Sequence, residues 1–193
     1  MVVFQSRLLL VLYLSLLGLF VLGELVLIRK RIATEGQASG DRRFLKTAVP
    51  IFVLSNLVAI LCIRWFPGAD FGTHATAVAG LLVMGIGMPL RWWSIAQLGR
   101  FFTVNVAVAS DQRVIDSGPY RLIRHPAYSG LLLTICGMAL RFGNFVSAAV
   151  ILVPFVVLIG WRIKVEEAAL VAGLGDSYRE YMQRTKRLIP GVY

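Results

Sequence analysis

The sequence predicts an all-α integral membrane protein with five transmembrane helices in a single membrane domain spanning residues 1–193. Three observations carry this. Hydrophobic residues make up 58% of the chain and charged residues 16%, with a mean hydropathy of +0.74. A soluble domain is about half apolar and about a quarter charged, and a fold of this size cannot hide the excess. Five apolar runs are separated by short polar stretches, and the basic residues fall almost entirely on one predicted side. This composition excludes a disordered chain, a disulfide scaffold and the usual polar nucleic-acid-binding domain; the net charge of +10 needs another explanation.

Crossing a hydrocarbon core of about 30 Å takes about 20 mostly apolar residues. Leu8 to Ile28 qualifies, with Glu24 its only charge. It runs into Ile28-Arg29-Lys30-Arg31 without a small-residue cleavage site, so it reads as a retained helix rather than a signal peptide. Ala48 to Phe66 is the second span, containing Asn56 and closing on Arg64, Trp65 and Pro67. His74 to Leu90 is the third, and Gly80, Gly85 and Gly87 suit close helix packing. These spans form an N-terminal part, 1–90. Ala127 to Leu140 is a shorter fourth run, gaining length from a start at His125-Pro126, because proline fits the first turn of a helix. Asn144 to Trp161 is the fifth, joined to the fourth by a tight turn at Arg141-Phe142-Gly143-Asn144. Asp176 is the expected N-cap of a short final helix, Ser177 to Lys186, with Tyr178, Tyr181 and Met182 on its apolar face. Cys62 and Cys136 lie inside apolar runs and read as small hydrophobes.

Segments 29–46 and 91–124 and the tail after the fifth span together carry seventeen basic residues; the opposite side receives three, Arg7, Arg64 and Arg141. The positive-inside rule therefore predicts a cytoplasmic C-terminus and, with five spans, an external N-terminus. The basic excess is an orientation signal first and a contact for anionic membrane lipids second, not a nucleic-acid footprint. For a prokaryotic source the membrane is the plasma membrane.

Polar residues are dense beside membrane helices in two places, both in the half 91–193. The first contains Ser117-Gly118-Pro119-Tyr120-Arg121 and Arg124-His125-Pro126-Ala127-Tyr128. A lone interfacial histidine is more often structural than functional, but His125 has Tyr120, Arg124 and Tyr128 around it, and Tyr128 follows by one helical turn. The second is Arg162-Ile163-Lys164-Val165-Glu166-Glu167. Arg162 and Glu166 are four apart, which by itself indicates an i,i+4 ion pair. Ionisable groups at a membrane boundary are nonetheless costly unless they face a cavity, and the tandem glutamates can bind hydroxyls or a cation.

At these residues the sequence resembles the isoprenylcysteine carboxyl methyltransferase family. The likeness rests on Gly118-Pro119-Tyr120-Arg121 running into Arg124-His125-Pro126-Ala127-Tyr128-Ser129-Gly130. After a helical hairpin it continues through Arg162, Glu166-Glu167, Leu170, Gly175-Asp176-Ser177-Tyr178, Tyr181 and Pro190. The resemblance covers roughly residues 90–193 and implies an S-adenosyl-L-methionine-dependent methyltransferase. Its cofactor pocket would be cytoplasmic, formed by the central loop and the C-terminal helices. Carried over by motif, Gln112, Arg113, Val114, Ile115, Tyr120, His125, Pro126, Ala127, Tyr128 and Glu166 would bind the cofactor. Asn105 would join them where the family has a glutamine contact. Arg162 would bind the carboxylate of a lipophilic methyl acceptor entering from the bilayer, such as an isoprenylated cysteine or a similar amphiphilic acid. Neither a catalytic side chain nor a metal is expected, since a carboxylate acceptor is already ionised and transfer needs positioning and desolvation. Two other readings stay open: a phospholipid amine or thiol methyltransferase, and an NADPH-dependent sterol-type membrane reductase, which shares the Arg-His-Pro-x-Tyr pattern. A non-catalytic helical scaffold accounts for the spans but not for the two polar motifs.

Overall fold

The computed structural model describes residues 7–35, 42–101 and 112–193. Six α-helices occur among them: α1 (Arg7–Glu35), α2 (Arg42–Trp65), α3 (His74–Leu98), α4 (Pro126–Phe142), α5 (Phe145–Leu174) and α6 (Asp176–Arg184). The described residues contain no β-strand, only isolated bridges. α1, α2, α3 and α5 are each long and apolar enough to cross a membrane, and α4 is a shorter apolar helix. The protein is thus an integral membrane protein, and the five expected helices are present.

The sequence-based boundaries are too short at several ends. α3 continues past Leu90 to Leu98, and α5 past Trp161 to Leu174. At 1.5 Å per residue the 30 residues of α5 extend about 45 Å. The segment expected to follow the fifth span is therefore the rigid end of the span's own helix, because apolar patterning marks where the lipid stops and not where helical hydrogen bonding stops. Asp176 is the first residue of α6, and the capping position belongs to Gly175, at φ 60°.

α3 and α4 form the tightest pair, and glycine makes it possible. A Cβ on Gly80 would lie 2.6 Å from the Gly137 carbonyl oxygen; on Gly87, 2.6 Å from the Thr134 nitrogen; on Gly130, 2.5 Å from the Arg91 nitrogen. The stripe is seven residues apart on each helix, Gly80 with Gly87 and Gly137 with Gly130, and the antiparallel backbones touch through it. Gly85, expected to share in this packing, faces open space; it lies two residues from Gly87 and so on another face. The packing role of their partners Gly130 and Gly137 is not legible in the sequence, because nothing in α4 alone shows which helix it meets.

α2 packs on α5 through Ala59, Ile151 and Phe155, with Ile135 and Phe142 of α4 completing the cluster. The Ser147 hydroxyl donates to the Ala59 carbonyl at 2.7 Å. Between α4 and α5, Gly143 adopts the left-handed conformation (φ 62°), and Asn144 accepts from the Ser147 backbone N–H at 3.0 Å. The Asn144 amide also donates to Asp70 at 2.7 Å, a hydrogen bond that holds this carboxyl below its usual range. Arg141 corrects the expected turn. It is the penultimate residue of α4, only 2% exposed, with its guanidinium 5.6 Å from the Tyr13 ring centre of α1. It is a buried interhelical group rather than a surface charge.

Candidate functional site

Both polar motifs converge at one end of the bundle. Ser117 opens a 3₁₀ turn over Gly118–Arg121 that buries Pro119 and Tyr120. The chain then runs beside the C-terminal segment: the Arg124 N–H donates to the Lys186 carbonyl at 2.7 Å and the His125 N–H to that of Arg187 at 3.0 Å. α6 lies across this pair. Its Tyr181 hydroxyl donates to the Tyr120 carbonyl at 2.6 Å, which explains why a helix of nine residues holds its place. Burial raises the Tyr120, Tyr178 and Tyr181 hydroxyls well above the ordinary tyrosine value, so these phenols stay neutral donors.

Pro126 begins α4, as proline suits a first turn, and directs His125 and Tyr128 to the projecting end of α5. Two carboxylates of α5 receive this loop. Glu166 accepts from the Tyr128 hydroxyl at 2.9 Å. Arg162, one turn earlier and buried, also engages that hydroxyl. Glu167 points about 100° further round the helix, where it accepts from Arg124 Nε at 2.8 Å, lies 3.3 Å from His125 Nε2, and pairs with Arg187 Nη2 at 2.8 Å. The bond to Glu167 raises the Arg187 guanidinium further still. Arg124 also donates to the Met182 and Thr185 carbonyls. One carboxylate therefore ties together the central loop, α5 and the C-terminal segment.

The structure brings Tyr120, His125, Pro126, Ala127, Tyr128, Arg162 and Glu166 to this end of the bundle. Pro126 and Ala127 are buried beneath it. Gln112, Val114 and Ile115 are half-buried in the approach to the 3₁₀ turn, and Arg113 is exposed. Asn105 lies outside the described residues. The i,i+4 spacing of Arg162 and Glu166 placed both on the Tyr128 side. Sequence reasoning missed Glu167, Arg124 and Arg187 as a cluster. The tandem Glu166-Glu167 was the available signal, since neighbouring helical residues must serve different sides.

Fold and site together define a polytopic α-helical membrane protein whose charged, tyrosine-rich site sits at one mouth of the bundle. The sequence model of the Isoprenylcysteine carboxyl methyltransferase (ICMT) family matches residues 78–172. A relative described as protein-S-isoprenylcysteine O-methyltransferase B, from Arabidopsis thaliana, is 32% identical over 142 residues, covering 72% of each chain. Protein-S-isoprenylcysteine O-methyltransferase of Schizosaccharomyces pombe is 33% identical over 122 residues, 62% of this chain and 51% of the relative. The match thus spans about half the length of the yeast protein. The solved structure of the eukaryotic intramembrane Ras methyltransferase ICMT superposes with a TM-score of 0.69 at 24% identity, over 93% of this chain and 65% of that one, which establishes a shared fold. This chain belongs to the isoprenylcysteine carboxyl methyltransferase family.

Proposed function

We propose that this protein is a carboxyl O-methyltransferase that uses S-adenosyl-L-methionine to esterify a lipophilic acid, an isoprenylated cysteine or a similar amphiphile. One observation carries the reading: Arg162 and Glu166, one turn apart, meet the Tyr128 hydroxyl at one end of the bundle. A cation and an anion held side by side suit two ligands of opposite demand. The cofactor supplies a methyl group activated on a cationic sulfur. Its ammonium and ribose hydroxyls call for an acceptor, which Glu166 provides, and its adenine for apolar and aromatic surface, which Val114, Ile115 and Tyr120 provide. Gln112, Arg113, Asn105, His125, Pro126, Ala127 and Tyr128 complete the proposed set.

Arg162 presents a fork that fits a carboxylate through two parallel hydrogen bonds. An ionised carboxylate needs no base, and the neutral Tyr120 phenol offers none. The protein's work is then to orient two ligands and exclude water, with the acceptor's lipid chain reaching the site sideways between helices. The distribution of basic residues supports a cytoplasmic site and C-terminus and an external N-terminus. An NADPH reductase would have to hold an anionic 2′-phosphate, to which the Glu166 carboxylate, facing the Tyr128 hydroxyl at 2.9 Å, is ill suited.

Calorimetry on the detergent-solubilised protein tests the proposal, with S-adenosylhomocysteine and NADPH titrated separately. S-adenosylhomocysteine binds and NADPH does not; the reverse result overturns the proposal.

A further inference from the structure

α1 is mostly exposed along its apolar faces, with large residues such as Leu8, Val11, Leu22 and Leu25 open to the surroundings. It meets the rest of the protein along one stripe, from Tyr13 through Leu16, Leu17 and Phe20 to Gly23 and Glu24. Far from the site, Tyr13 packs edge-on against Phe142. Near the site, Gly23 leaves room for Trp92, whose ring would lie 2.5 Å from a Cβ there, and Glu24 pairs with Arg91 of α3. That pair is bidentate: Arg91 Nε and Nη2 donate to the two Glu24 oxygens at 2.6 and 2.7 Å. The remaining arm, Nη1, donates to the Ala127 carbonyl at 3.2 Å. The Arg91 backbone also abuts Gly130 of α4.

We infer that Glu24 and Arg91 form a positioning pair for the cofactor site, through which α1 fixes the first turn of α4 and hence the placement of His125 and Tyr128. This rests on the methyltransferase reading of that site. The physical case has three parts. A charge in an apolar span is costly and persists where it has a task, and Glu24 is the only acidic residue between Arg7 and Leu27. Docking of α1 does not require an ion pair, because apolar residues of similar volume hold helices together equally well or better. The third arm of Arg91 supplies what apolar residues cannot, a fixed donor on the carbonyl directly before Tyr128. Glu24 occupies two arms of the guanidinium and so turns the third toward Ala127.

The pair Glu24→Leu with Arg91→Met separates docking from positioning. It removes both charges, so the helices stay packed and the melting temperature remains near that of the parent. Its affinity for S-adenosylhomocysteine, measured by calorimetry in detergent, falls about tenfold, the scale of one hydrogen bond to a charged group. Arg91→Lys, which keeps the charge but cannot serve Glu24 in bidentate fashion and Ala127 together, weakens the same binding severalfold without unfolding the protein. Parent-like affinity in the double variant or in Arg91→Lys overturns the inference and leaves the methyltransferase reading intact. A parent protein that binds no S-adenosylhomocysteine overturns both.

Discussion

Replacing Glu167 with glutamine removes one charge from the junction of three chain segments while leaving its shape. The carboxylate is 4% exposed and faces Arg124 at 2.8 Å, Arg187 at 2.8 Å and His125 at 3.3 Å. Breaking a buried ion pair on one side costs about 3–5 kcal/mol, because the partner charge stays buried without compensation. The low end applies here. The Arg187 side chain is 31% exposed and water can replace part of its bond, while Arg124 keeps its bonds to the Met182 and Thr185 carbonyls. A loss of about 3 kcal/mol in a chain of this length lowers the melting temperature by about 6–12 °C. Intrinsic-fluorescence melting in detergent measures the shift. Because Arg187 and the backbone beside Lys186 lose their anchor, trypsin cuts Glu167→Gln faster at Arg184, Lys186 and Arg187 than it cuts the parent. Glu166→Gln, whose carboxylate is half-buried and receives a neutral phenol, shifts melting less. If Glu167→Gln melts within about 2 °C of the parent and resists trypsin equally, Glu167 is not the tie described here.

Three further outcomes follow from the same geometry. Gly130→Ala pushes a methyl group into the Arg91 backbone at 2.5 Å and destabilises the α3–α4 pair by about 1–3 kcal/mol or more, whereas Gly85→Ala meets nothing and gains about 1 kcal/mol of helix propensity; thermal melting of the two variants must diverge in sign. Glu166→Ala weakens S-adenosylhomocysteine binding in calorimetry, while Arg162→Ala chiefly raises the KM for an anionic acceptor; equal loss of cofactor affinity in both variants contradicts this division of roles. Tyr120, Tyr178 and Tyr181 hold their protons more tightly folded than unfolded, so the stability they contribute is complete below the unfolded tyrosine value of about 10 and is lost as pH rises beyond it. Melting temperature therefore falls on the alkaline side, and the phenolate absorbance of these three tyrosines develops only as the protein unfolds.

The membrane helices were legible because hydropathy is a local property, and about twenty consecutive residues suffice to show it. Much of the site was legible for the same reason: Pro126 marks a helix start, and the four-residue step from Arg162 to Glu166 sets a shared face. What the sequence hid depends on which helices become neighbours. Glu24 was legible only as the single charge of an apolar run until α3 set Arg91 beside it. Arg141 resembled a turn residue until α1 placed Tyr13 against it, and Gly130 was legible as a motif residue but not as the place where the Arg91 backbone needs a missing side chain. Glu167 read, together with Glu166, as a ligand for hydroxyls or a cation, and only the docked C-terminal segment shows that it pairs with Arg124 and Arg187 instead.

The short α4 makes sense once the site is located at its start. Its 17 residues span about 25 Å, less than a hydrocarbon core of about 30 Å, so its first turn lies below the level that α3 and the long α5 reach. His125, Tyr128 and the carbonyl of Ala127 consequently sit in a recess rather than on a rim. α6 and the C-terminal segment cover that recess from the polar side, and α1 reaches it from the lipid side through Glu24. On the proposed function an arrangement of this kind answers a problem of phases, with a charged cofactor coming from water and a lipid acceptor from the bilayer. A longer fourth helix would raise the site toward the level that α5 reaches, and a free C-terminal segment would leave it open to water. On the proposed function, the length of α4 and the grip of Glu167 are therefore two parts of one solution.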